Sequence, residues 1–147
     1  MRSFWLLLHL LSVVVWVGGM VFAHHCLRPE AAKLDPPQRL PLLAGALGRF
    51  FTFVTPAIAL LWVSGLAMMA AIGWKLAPLN LHLMMGIAVV MTVIYGVIRG
   101  GLYPRLAAAV SRGDWPAGGA VMGGLRRLVH VNLWLGLLTI VVAVMGR

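Results

Sequence analysis

The stretch FWLLLHLLSVVVWVGGMVFA, Phe4 to Ala23, decides how this chain is read. It carries no formal charge and one ionisable residue, His9. About 20 apolar residues at 1.5 Å per residue cross the roughly 30 Å hydrocarbon core of a bilayer. An imidazole inside such a segment is expensive and marks a functional site by default. A second segment, Leu79 to Ile98, opens in the same way: Leu8-His9-Leu10 matches Leu81-His82-Leu83.

Composition supports the membrane reading. The chain has 147 residues, 62% hydrophobic and 10% charged, with mean hydropathy +0.98. Soluble domains are about a quarter charged. Two further apolar runs, Phe50–Ile72 and Leu128–Met145, bring the expected spans to four: 4–23, 50–72, 79–98 and 128–145. The expected fold is all-α, an integral-membrane four-helix up-down bundle forming one domain over residues 1–147, with helices three and four continuing beyond the membrane. The first run is longer than the apolar core of a typical signal peptide and has its more basic flank on the C-terminal side, so it reads as a retained anchor.

The net charge of +9 does not point to nucleic acid, because the cations lie between the apolar runs. Nine of them (Arg28, Lys33, Arg39, Arg49, Arg99, Arg105, Arg112, Arg126 and Arg127) fall in the first and third loops. Only Arg2, Lys75 and Arg147 fall on the other side. The positive-inside rule then places both termini outside, and the lipid bilayer is the first partner. The single cysteine, Cys26, permits no internal disulfide.

Helix starts are signalled at Asp35-Pro36-Pro37-Gln38, which has capping-box form, and at Asp114-Trp115-Pro116. Pro56 should kink helix two, with Thr52 or Thr55 satisfying freed carbonyls. The halves resemble a duplicated helical hairpin: Gly45-Ala46-Leu47-Gly48-Arg49-Phe50 is similar to Gly123-Gly124-Leu125-Arg126-Arg127-Leu128. Chance matching between Leu-, Gly- and Arg-rich stretches explains this equally well.

His9 and His82 share a leaflet, roughly 7 Å and 5 Å below the outer boundary at the helical rise. A pseudo-two-fold axis would turn them toward one another. Paired imidazoles suit axial ligation of haem b, and they also suit a Cu(I) site with added soft ligands. Met84 and Met85 flank His82 and supply such thioethers; methionine also simply fills gaps in apolar helices. Helix one presents His9, Ser12, Trp16, Gly19 and Ala23 along one face, the small and polar stripe of a helix interface. Helix three is expected to present Met85, Gly86, Val89, Val93 and Gly96 in the same way. At the other end, His24 falls about 60° from the His9 face and His25 about 160°, which makes His24 the inward candidate. For His25 and His130 the plainer reading is bonding to water or headgroups.

These residues resemble the copper resistance protein D (CopD) family in its short stand-alone form. The resemblance is carried by His9 with Val15-Trp16-Val17-Gly18-Gly19, by His24 with Leu27-Arg28-Pro29, and by Leu81-His82-Leu83-Met84. Gly113-Asp114-Trp115-Pro116, Arg126-Arg127-Leu128, Val131-Asn132-Leu133 and Leu135-Gly136 extend it. It implies copper handling at the inner membrane, usually with a periplasmic copper-binding partner. More distant similarity to HemJ-type oxidases and b-type membrane cytochromes implies haem b and a quinone or other electron-transfer partner.

Three functions follow as expectations. In the first, His9, His82, Met84 and Met85 capture Cu(I) outside, and His24 or Cys26 receives it inside. In the second, His9 and His82 are axial ligands of haem b and the protein is an oxidoreductase. The third is a structural subunit without cofactor. Hydrolysis is disfavoured, because Glu30, Asp35 and Asp114 all lie in loops and form no acid–base pair in the membrane.

Overall fold

A computed structural model describes residues 1–146. Four helices carry the described chain: α1 Arg2–Ala31, α2 Pro36–Ile72, α3 Leu79–Arg112 and α4 Trp115–Met145. All four are long and apolar enough to cross a membrane, and together they make an all-α four-helix membrane bundle. The 37 residues of α2 would extend roughly 55 Å, well beyond the hydrocarbon core. The excess lies at the cation-bearing end. There α2 begins at Pro36 and α4 at Trp115, both earlier than the apolar runs, because Arg49, Arg126 and Arg127 interrupt hydropathy without interrupting a helix.

Turn chemistry closes the hairpins. Gly113 ends α3 in the left-handed region, with φ 67°, where a side chain would be strained. Asp114 then caps α4 by accepting from the Ala117 amide at 3.2 Å. The capping box expected at Asp35 is not formed: Asp35 is the N-cap residue with extended backbone, yet its side chain makes no cap bond. Prolines at the first positions, which need no amide donor there, set this start instead. The helix runs on through Pro56, while Thr52 and Thr55 donate to the carbonyls of Arg49 and Phe51.

Both α1 and α3 contain a π-helical stretch, Phe22–Leu27 and Ile98–Leu102. Each ends two residues before a proline, Pro29 and Pro104. A proline within a helix has no amide to offer the carbonyl one turn back, and a widened turn just before it accommodates the mismatch. His24 and Arg99 each lie three residues before the end of their stretch.

Helix α1 packs chiefly on α2, and α3 on α4. Trp16, Met20, Val54, Ile58, Met91, Leu125 and Leu133 are among the residues of one core. A Cβ at Gly136 of α4 would press on Val17 and Met91, so this small residue lets α1 and α3 close on α4. Polar bonds tie α2 to α3: Trp62 Nε1 donates to Thr92 Oγ1 at 3.0 Å, and Thr55 meets Tyr95. Helix one buries the stripe read from the sequence, with Ser12 and Trp16 almost fully covered. Helix three differs. Val89 is 47% and Val93 61% exposed, while Met91 and Ile98 face the core. On a helix apolar all round, sequence offers no contrast between bundle and lipid faces.

Candidate metal centre

His9 lies on α1 against α2. Ser64 spends its hydroxyl proton on the Leu60 carbonyl at 2.6 Å. The His9 Nδ1 therefore donates, shared between the Leu61 carbonyl at 3.2 Å and Ser64 Oγ at 3.1 Å. Gly65 makes room for the ring: a Cβ there would stand 3.3 Å from His9 Cε1. This fixes the Nδ1–H tautomer and leaves Nε2 with its lone pair, the arrangement in which histidines bind metals.

His82 is exposed near the start of α3, and its Nδ1 faces the Pro78 carbonyl of its own helix at 3.3 Å. A carbonyl only accepts, so His82 carries the same tautomer with Nε2 free. Met84 and Met85 are half-buried beside it. The polar contacts of His9 and His82 are thus made with different helices, α2 for His9 and α3 itself for His82.

His24 and His130 are brought within hydrogen-bonding distance, and the His25 ring stands edge to face against His24 at 4.9 Å between centroids. The widened turn of α1 carries His24, which is 9% exposed, whereas His25 is exposed beside it. His130 Nδ1 stands 2.7 Å from His24 Nε2, with the rings edge to face at 4.4 Å between centroids. Trp134, one turn along α4, donates its indole N–H to His130 Nε2 at 2.7 Å. An indole nitrogen can only donate, so His130 Nε2 is unprotonated. Its proton sits on Nδ1 and is given to His24 Nε2. The result is a one-directional chain from Trp134 through His130 to His24, built on two neutral rings.

His24 is the inward residue expected from its helical angle, whereas His130, expected at the interface with water or headgroups, is its hydrogen-bonding partner. The hydrogen-bonding partner lies 106 residues away, and no periodicity reports such a distance. The Trp134 position, one turn after His130, was the available hint. Among the described residues, no three His, Cys, Asp or Glu side chains gather as a metal-binding group.

The fit to a metal is testable on these distances. Two imidazole nitrogens bound to one ion, each about 2 Å away, stand roughly 4 Å apart when linear. The pair at 2.7 Å needs a modest ring separation and the loss of the shared proton. Imidazole nitrogen suits copper.

A family model described as copper resistance protein D matches residues 44–145, most of the chain. The chain belongs to the CopD family. Membership associates it with copper resistance, and with four spanning helices it is a multi-pass membrane protein. Comparison with curated proteins and with solved structures gives no significant match. The matched region includes His82, Met84, Met85 and His130 and begins after His9 and His24.

Proposed function

We propose that this protein handles copper as cargo in a bacterial inner membrane, with His24 and His130 holding Cu(I) at the cytoplasmic end. His82, with Met84 and Met85, forms the acquisition end on the periplasmic side, where a soluble copper-binding partner delivers the ion. His9 offers Nε2 between the two ends. The observation that carries the reading is the 2.7 Å approach of two ring nitrogens from helices α1 and α4. The bias of cations to one end supports the orientation, with both termini in the periplasm.

Binding follows from the tautomers. To present Nδ1 to copper, His130 must move its proton to Nε2. That proton then faces the Trp134 indole N–H, so the tryptophan bond is released. Trp134 thereby favours the copper-free state, and the site is set for exchange rather than permanent retention.

The test is metal analysis and an absorption spectrum of protein purified in the presence of Cu(I). About one equivalent of copper without a Soret band supports the proposal. A Soret band removed by substitution of His9 and His82 would replace it with haem b ligation. Neither copper nor haem would leave a structural subunit.

A further inference from the structure

Between α1, α2 and α4, at the cation-rich end, lies a cleft of about 460 Å³. Its volume is that of a small-molecule site, for which roughly 300–1,000 Å³ is typical. Its chemistry is divided. Arg28, Arg39 and Arg126, one from each helix, line it together. The remaining wall is largely apolar and includes Phe22, Leu43, Leu47, Phe50, Met122 and Val129. From Gly19 to Arg28 the α1 side of the cleft runs roughly 13 Å at the helical rise.

Among the described residues, none of the three arginines pairs with a carboxylate. Of the three acidic residues in the chain, Glu30 pairs with Lys33 and Asp114 with Arg112, and no ion pair among the described residues involves Arg28, Arg39 or Arg126. Arg28 and Arg126 sit within one another's field. Cations gathered beside an apolar groove at a membrane boundary repel each other, and an anion placed among them removes that repulsion. Guanidinium groups match phosphate oxygens in a bidentate way. Basic pockets between membrane helices bind anionic lipid headgroups. The groove also has open room, since a Cβ at Gly119 or Gly123 meets nothing within 4 Å.

We propose that this cleft binds one anionic phospholipid, its phosphate held by Arg28, Arg39 and Arg126 and an acyl chain laid along Leu47, Phe50, Met122 and Val129. Charge complementarity selects this occupant over a neutral quinone or a zwitterionic lipid, and the apolar wall selects it over a free anion. Bound there, the lipid bridges α1, α2 and α4. The proposal stands on the cleft and its cations and does not depend on copper binding. His24 lines the same cleft, so the test leaves both imidazoles in place.

The test is native mass spectrometry of the full chain in detergent with equal amounts of phosphatidylglycerol and phosphatidylcholine. Phosphatidylglycerol should be retained roughly tenfold over phosphatidylcholine, the scale of charge-assisted bonding. The double variant Arg28→Gln/Arg126→Gln should lose that preference, and Arg105→Gln, outside the cleft, should keep it. Gly123→Leu fills the groove without touching a charge and should lower retention of phosphatidylglycerol. Inorganic phosphate at millimolar concentration should not displace the lipid. Equal retention of the two lipids by the wild type overturns the proposal. So does unchanged retention in Gly123→Leu, or full displacement by phosphate, which would make this a free-anion site. If the double variant fails to fold, the wild-type comparison and Gly123→Leu still decide.

Discussion

His24 and His130, 106 residues apart in the chain, share one proton across 2.7 Å between ring nitrogens. Trp134 fixes its direction by donating to the far side of His130. This contact joins α1 to α4 through groups that can bind a metal when the proton leaves.

Removing the Trp134 donor should tighten copper binding. The indole bond stabilises only the copper-free tautomer, and a hydrogen bond of this kind is worth about 1 kcal/mol net, or roughly fivefold in Kd. Trp134→Phe is therefore expected to bind Cu(I) about fivefold more tightly in a chelator competition. Addition of Cu(I) should also change tryptophan emission of the wild type by a component missing from Trp134→Phe. Unchanged or weaker binding by Trp134→Phe contradicts the tautomer switch.

The seat of His9 should be sensitive to size more than to the hydroxyl. Hydrogen bonds between membrane helices average about 0.6 kcal/mol, so Ser64→Ala is expected to cost about that much. Gly65→Leu drives a side chain into the His9 ring, and overpacking of this kind typically costs about 1–3 kcal/mol. Unfolding in mixed micelles measures both. A larger loss for Ser64→Ala than for Gly65→Leu would reject the packing argument.

Of the two cap sequences, only one should matter through its side chain. Asp114→Ala removes the bond to the Ala117 amide and is expected to cost about 1 kcal/mol. Asp35→Ala removes no cap bond and should change stability by under about 0.5 kcal/mol. Thermal unfolding monitored by helical circular dichroism distinguishes them; equal losses would mean that Asp35 caps in the membrane.

Asn132 donates to the Met91 carbonyl at 3.2 Å, while its own amide oxygen is buried without a partner. An apolar residue of similar size removes the orphan together with the bond. Asn132→Leu should therefore lie within about 1 kcal/mol of the wild type, and Asn132→Asp, which buries a charge, should lose considerably more. Similar stabilities for the two variants would contradict this.

The four spans, the buried face of α1 and the choice of His24 over His25 were legible in the sequence. Each rests on a local contrast: apolar run against cation, small or polar residue against bulky aliphatic, one helical angle against another. Where the contrast vanishes, the reading fails. Val89 and Val93 look as fit for a core as Met91, but they face outward. His130 looked interfacial because its partner is far away in the chain. The helix starts at Pro36 and Trp115 were legible in Asp35-Pro36-Pro37 and Asp114-Trp115-Pro116, even though Arg49, Arg126 and Arg127 break hydropathy between those signals and the apolar runs.

The most direct test of the copper reading is a Cu(I) competition titration of the wild type beside His24→Ala, His130→Ala, His9→Ala and His82→Ala. One equivalent should bind to the wild type. Affinity should fall at least about tenfold, the loss of one ligand's worth of free energy, in both His24→Ala and His130→Ala. His9→Ala and His82→Ala should keep the tight equivalent, with His82→Ala slower to load. Wild-type affinity in His24→Ala and His130→Ala, with copper lost instead from His9→Ala and His82→Ala, would contradict the account.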